Sequence, residues 1–187
     1  MAVWTGAHRN EILALRWVDV DFAAKALTIT RAAEETKAFG RRVTAPKTAR
    51  GMRMITVDDG LLGLLTGIRQ IHQRLIAGIP DDAAADLSLV RLPASADLDK
   101  PRDVNAVTRT SQRQAAKLGF GHLWFHDLRG SHETMLLDAG VPVHTVAARC
   151  GHDPAILLRA YAKRTASSDA KAAAVITALA AKAATGI

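Results

Sequence analysis

Two histidines, an arginine and the chain's single tyrosine are of the types that suit one reaction. His126 and Arg129 stand at i and i+3 in Phe125-His126-Asp127-Leu128-Arg129, so a helix there sends both side chains out on one face. A guanidinium forks onto two oxygens of a phosphate while an imidazole moves a proton. Cys150-Gly151-His152 brings a second histidine, and Tyr161 follows nine residues after it. A phenol, with an ordinary pKa near ~10, is a poor nucleophile unless cations stabilise the charge it develops. Lys47, in the turn Pro46-Lys47-Thr48-Ala49-Arg50-Gly51, is a further cation of that kind. Each residue also has a plainer reading: a chance His-x-x-Arg in a basic helical chain, a tyrosine at the core edge, a solvated loop lysine.

Other chemistries fit less well. His122, His126 and His132 raise a metal site, but no Glu stands in the base position of a His-Glu-x-x-His helix and Arg129 would set a charge against the metal. No Gly-x-x-x-x-Gly-Lys-Ser/Thr loop or Gly-x-Gly-x-x-Gly turn offers a cradle for a nucleotide. The expectation is a site without metal or cofactor.

The elements that must position these residues are mostly helical. Ile12, Leu13, Leu15 and Trp17 predict a helix from about 7 to 18. Three short β-branched runs, 26–31, 42–45 and 53–57, predict a three-stranded antiparallel meander. Leu61, Leu64, Leu65, Ile68, Ile71 and Leu75 predict a helix to about 76, followed by a Pro-containing break, an extended stretch at 88–92 and a mobile insert ending near Pro101. Helices at about 103–117, 126–138 and 143–149 are each closed by a glycine, Gly119, Gly140 or Gly151. A helix at 154–163 and an Ala-rich one from about Ser168 to Ala184 complete the chain, the last with an apolar stripe suited to a neighbouring protein's groove. The fold class is mainly α with one small antiparallel sheet.

At 187 residues, 49% hydrophobic and 23% charged, the chain suits one globular domain, and no apolar run approaches the ~20 residues of a membrane span. One cysteine cannot form an internal disulfide, and the N-terminus lacks a signal-peptide pattern, so a reducing cytoplasm is the expected compartment. Lys and Arg exceed Asp and Glu by 25 − 18 = +7, which favours a polyanionic partner. Aromatic residues are only 4%, too few for stacking along single strands, so duplex backbone contact fits better, through Lys47, Arg50, Arg53, Arg109, Arg113 and Lys117.

Taken in order, these segments resemble the catalytic domain of the tyrosine recombinases, the phage-integrase type. Thr5-Gly6-Ala7-His8-Arg9-Asn10-Glu11-Ile12 resembles the family's first box, Pro46-Lys47-Thr48 its lysine turn, His126-Asp127-Leu128-Arg129 its His-x-x-Arg box, and Gly151-His152 with Tyr161 its closing pair. The resemblance implies cutting and rejoining of double-stranded DNA without metal or nucleotide, by a homo-oligomer, a tetramer on DNA, associated with a bacterial or phage nucleoid. Carried over, Tyr161 attacks the phosphodiester, Arg129 and His152 hold its non-bridging oxygens, Lys47 protonates the leaving oxygen, and His126 is general base or proton shuttle.

The sequence departs from the family in two places. The family's first-box arginine position is His8 here, and Arg9, next to it, points about 100° away on an ideal helix. A histidine cannot replace a permanent bidentate fork, so activity is expected to be impaired unless Arg9 substitutes. The resemblance further leads us to expect residues 1–187 to be a single catalytic domain lacking its N-terminal portion and a separate N-terminal DNA-binding domain. The competing reading is a non-catalytic DNA-binding or assembly module derived from this fold.

Overall fold

In the computed structural model, residues 1–46, 48–77, 91–92 and 101–162 are described. The chain opens with α1 (Ala2–Thr5) and α2 (Arg9–Ala14), runs through five short strands, β1 (Val20–Asp21), β2 (Ala26–Ile29), β3 (Ala32–Thr36), β4 (Gly40–Thr44) and β5 (Arg53–Thr56), and continues as helices. These are α3 (Asp59–Ala77), α4 (Val104–Lys117), α5 (Phe125–Asp138), α6 (Val143–Cys150) and α7 (Pro154–Ala162). No helix among the described residues is long and apolar enough to cross a membrane.

The first helix is shorter than expected and broken in two. Gly6 takes φ 63°, ending α1, and a side chain there would collide with Cys150 Sγ at 2.6 Å. The second stop is Leu15, extended at ψ 142°, beyond which the Asp19 carboxylate accepts the Arg16 N–H at 2.8 Å and starts a separate 3-10 turn. Ile12, Leu13, Ala14, Leu15 and Trp17 are all buried, so their apolar run reflects burial on every side and carries no helical period.

The expected meander is two sheets. β2 lies between β1 and β5, antiparallel to both, with Leu27 opposite Val20 and Ile55. The 42–45 run belongs to β4, which pairs with β3 (Ala33↔Val43) in a separate hairpin. β3 has the sequence Ala-Ala-Glu-Glu-Thr, weak in strand-favouring residues. Its pairing is supported by side chains instead: Glu34 binds Arg42 at 2.8 Å, and Arg42 lies 4.2 Å over the Phe39 ring. Ala33 packs with Leu13 and Val104, setting the hairpin against α2 and α4.

Leu61, Leu62 and Leu65 of α3 close the main core over Leu27, Ile29 and Ile55, whereas Leu64, Ile68 and Ile71 face outward. A second cluster, Val146, Ala147, Cys150 and Leu157, ties α6 to α7. The helices from α4 to α7 lie within two residues of their expected bounds, with Gly119, Gly140 and Gly151 at φ 84°, 82° and 70° just past the ends of α4, α5 and α6. Of the expected extended stretch, Arg91 forms a single antiparallel bridge to Arg16, and the chain bends at Leu92, whose N–H donates to the Leu15 carbonyl at 2.9 Å. The rest of the expected insert, Lys47 and the Ala-rich segment 168–184 lie outside the described residues.

Arginines join the two halves. Arg149 donates to the carbonyls of Thr56 and Trp4, both at 3.0 Å, and Arg53 donates from Nε to the Arg149 carbonyl at 2.7 Å. Arg53, expected on the DNA-facing surface, is instead 6% exposed, its fork closed on Glu11 by two 2.9 Å hydrogen bonds. Burial alone would raise the Glu11 carboxyl, but Arg53 outweighs it and holds the group below the ordinary carboxylate value. Arg53→Ala should therefore cost about 3–5 kcal/mol by stranding a buried carboxylate. Thermal unfolding should show a drop of roughly 10 °C, and an unchanged melting point would disprove the pairing.

Candidate active site

Separate segments of chain converge on a cleft of about 930 Å³. The α1–α2 turn supplies His8, the start of α2 supplies Arg9, the segment before β5 supplies Arg50, α5 supplies His126 and Arg129, and the α6–α7 turn supplies His152.

Local capping fixes each position. At α5 the Asp127 carboxylate accepts the Trp124 N–H at 2.7 Å, starting the helix so that His126 is exposed and Arg129, one turn on, is buried. At the end of α6, Gly151 in the left-handed conformation turns the chain sharply and delivers His152 to the cleft. A Cβ at Gly151 would lie 2.9 Å from the Arg50 carbonyl oxygen and 2.9 Å from Arg53 Nη1, so the turn needs glycine both for its φ and for its space. At α2 the His8 backbone N–H donates to Glu11 at 2.7 Å, which ties the cleft wall to the buried Glu11–Arg53 pair.

The three histidines face one another. The His8 ring stacks parallel to His126 at 6.3 Å between centroids and meets His152 edge-on at 6.1 Å. Enclosure by the cleft wall, and then the charge of Arg129, push the His8 pKa down to about 4, although part of the residue faces solvent. At neutral pH His8 is therefore uncharged. Arg9 faces another way, donating from Nε to Asn10 at 3.2 Å and from Nη1 to the Thr108 hydroxyl of α4.

Arg129 is 1% exposed and held by protein on several sides. Nη1 donates to the Gly6 carbonyl, Nη2 donates to the Cys150 carbonyl at 2.7 Å, and Nε lies 3.1 Å from Glu133. The same Glu133 oxygen is 2.9 Å from His152 Nε2. Sequence reading passed over Glu133, Glu11 and Asp138; the i,i+4 spacing of Arg129 and Glu133 was the available signal for the first.

The remaining expected residues are dispersed. Arg50 pairs with Asp153 beside the cleft. Arg109, Arg113 and Lys117 are exposed at i, i+4 and i+8 along one face of α4. Tyr161, on α7, is absent from the cleft lining; its hydroxyl donates to Asp138 at the end of α5 at 2.8 Å. His132 is a structural residue: Nδ1 donates to the Val3 carbonyl at 2.7 Å and Nε2 accepts from Arg149 at 3.2 Å, leaving no ring nitrogen for a metal. Cys150 is buried, and burial pushes its thiol up to about 11, so it is inert.

The phage integrase family matches the chain over residues 1–168. The chain belongs to that family. A tyrosine recombinase XerC-like protein of Caldanaerobacter subterraneus subsp. tengcongensis is 25% identical over 162 residues, covering 81% of this chain and 41% of its own length. The ICEBs1 integrase of Bacillus subtilis is 25% identical over 153 residues, with 81% and 40% covered. The chain thus spans less than half the length of these curated relatives. Among solved structures, the Tn1549 transposon integrase in complex with transposon right end DNA superposes with a TM-score of 0.68 at 20% identity, covering 86% of this chain and 51% of that one. The XerH site-specific recombinase bound to its difH substrate gives 0.55 at 20%, with 89% and 42% covered. These likenesses show that the fold is that of the tyrosine recombinase catalytic domain.

Proposed function

We propose that this chain cuts and rejoins duplex DNA in site-specific recombination, with Tyr161 as nucleophile. The observation that carries the proposal is the convergence of His8, His126, Arg129 and His152, from separate parts of the chain, on one cleft of a phage integrase family member. Phosphoryl transfer needs charge neutralisation and in-line alignment, and fixed cations supply both without a metal.

In this reading the Tyr161 oxygen attacks the phosphorus and its proton passes to His126. The bond to the 5′-oxygen breaks, a 3′-phosphotyrosyl bond forms, and Lys47 protonates the departing 5′-oxygen to give a 5′-hydroxyl. Arg129 and His152 hold the non-bridging oxygens. The phosphotyrosyl bond keeps the free energy of the broken phosphodiester, so a second 5′-hydroxyl reverses the step without a cofactor. Rejoining to a new partner requires several protomers on the DNA, and a tetramer acting in the cytoplasm fits that requirement. Incubation with nicked suicide duplexes, read on a denaturing gel, tests the proposal: a protein–DNA adduct supports it, and its absence at high protein concentration counts against it.

Duplex binding should be dominated by backbone phosphates through the exposed face of α4. Replacing Arg109, Arg113 and Lys117 by alanine should weaken binding to random duplex and flatten its log-log salt dependence by roughly 3, at about 0.9 for each phosphate contact. Fluorescence anisotropy across a salt series measures this, and an unchanged slope would place the DNA elsewhere.

A further inference from the structure

The geometry points to Glu133 as a positioning residue whose one carboxylate sets Arg129 and His152 together. The inference rests on the recombination reading only for what that pair is aimed at. Glu133 is buried, its side chain 8% exposed, and Oε1 stands 3.1 Å from Arg129 Nε and 2.9 Å from His152 Nε2. Neither approach has the alignment of a straight hydrogen bond, so one carboxylate oxygen is shared by proximity between the Arg129 guanidinium and the His152 ring.

Such a carboxylate is costly to bury and has to be balanced by its neighbours. The neighbours here are the two side chains assigned to the phosphate, Arg129 and His152. Arg129 arrives from within α5, and His152 arrives from the α6–α7 turn on a different part of the chain. Glu133 bridges the two segments at the level of their charged groups. The Gly6 and Cys150 carbonyls anchor Arg129 through Nη1 and Nη2, while Glu133 faces Nε, and the guanidinium is therefore fixed in rotation as well as in place. Two of its five N–H groups donate to backbone carbonyls, one each from Nη1 and Nη2, so each of these nitrogens keeps a second N–H. The His152 ring is set by two contacts, Glu133 at Nε2 and the His8 ring edge-on at 6.1 Å, and the carboxylate is the polar one.

The alternative role, a counter-ion that competes with DNA phosphate, predicts the opposite sign. Removing the charge would then strengthen phosphate contact and speed cleavage. Two features favour positioning. The carboxylate is about two turns further along α5 than the cleft-facing His126, and Glu133 is absent from the cleft lining although both its partners belong to it.

Glu133→Gln keeps the volume and removes the charge. In 1H–15N NMR spectra of the full chain, it should move the Arg129 Nε–H signal and the His152 ring signals together, leaving those of exposed His144 in place. Adduct formation on nicked duplex should slow by roughly 10- to 100-fold, the usual cost of losing a carboxylate that orients a working side chain. Duplex affinity should stay within about twofold, because the interaction acts on the reaction step rather than on binding. A merely structural role would lower affinity and melting point along with the rate. If Glu133→Gln does not fold, Glu133→Asp, which keeps the charge one methylene short, should move the same two signals. Unmoved signals in a folded variant, or faster adduct formation, would overturn the inference. If no version of the chain forms an adduct, the spectra still decide: paired shifts uphold Glu133 as the bridge while the recombination reading fails.

Discussion

A Tyr161→Phe chain should form no covalent adduct with nicked duplex, a loss of roughly 10³-fold or more, while binding the same DNA with unchanged affinity. The substitution removes a single hydroxyl. That hydroxyl donates to Asp138 at 2.8 Å, an interaction on the order of 1 kcal/mol, so the fold should survive. The same hydrogen bond holds the phenol on Asp138 and off the cleft lining, whereas His8, His126, Arg129 and His152 are already gathered there. Under the proposed reaction, cleavage would include a step in which the phenol leaves Asp138 and enters the cleft. The prediction does not depend on how fast that step is, because phenylalanine has no oxygen to deliver. Adduct persisting in the Phe variant at the wild-type rate would mean that another side chain is the nucleophile.

The helical half of the fold was legible because its signals are local. Asp103, Gly119, Gly140 and Gly151 mark helix ends through hydrogen bonds and backbone angles fixed within a few residues. The N-terminal half was less legible, because burial on all sides erased the helical period between Ile12 and Trp17. The partner of β4 was missed because β3 owes its pairing to the Glu34–Arg42 and Phe39–Arg42 contacts rather than to strand-forming residues. At the site, ordered motifs placed His8, His126, Arg129 and His152 at one cleft. Charge counting failed for Arg53: a formal +7 does not say which arginines face solvent, and only the fold reveals that this one neutralises Glu11. Glu133 and Asp138 escaped notice for a related reason, since their roles depend on partners brought close by α6 and α7.

His8→Arg should raise the rate of adduct formation by about 10²–10³-fold, the usual cost of lacking one charged donor to a transition-state phosphate. His8 lines the cleft against His126 and His152, the location a phosphate clamp requires, but its pKa of about 4 leaves it uncharged at neutral pH. One neutral imidazole offers a single donor where a guanidinium would offer a fork. Arg9 does not make up the difference in this conformation, since its guanidinium is engaged by Asn10 and Thr108 at the α4 side of the cleft. A new arginine at position 8 would meet repulsion from Arg129 and Arg53, the cations that depress the His8 pKa, and attraction from Glu11 directly beneath it. The DNA phosphate would relieve the remaining repulsion, so the gain should appear in the cleavage rate more than in stability. If His8→Arg changes nothing while Arg9→Ala abolishes adducts, Arg9 swings from Thr108 to the phosphate and holds it. If no chain forms adducts but the α4 substitutions still weaken duplex binding, the fold serves here as a non-catalytic DNA-binding module.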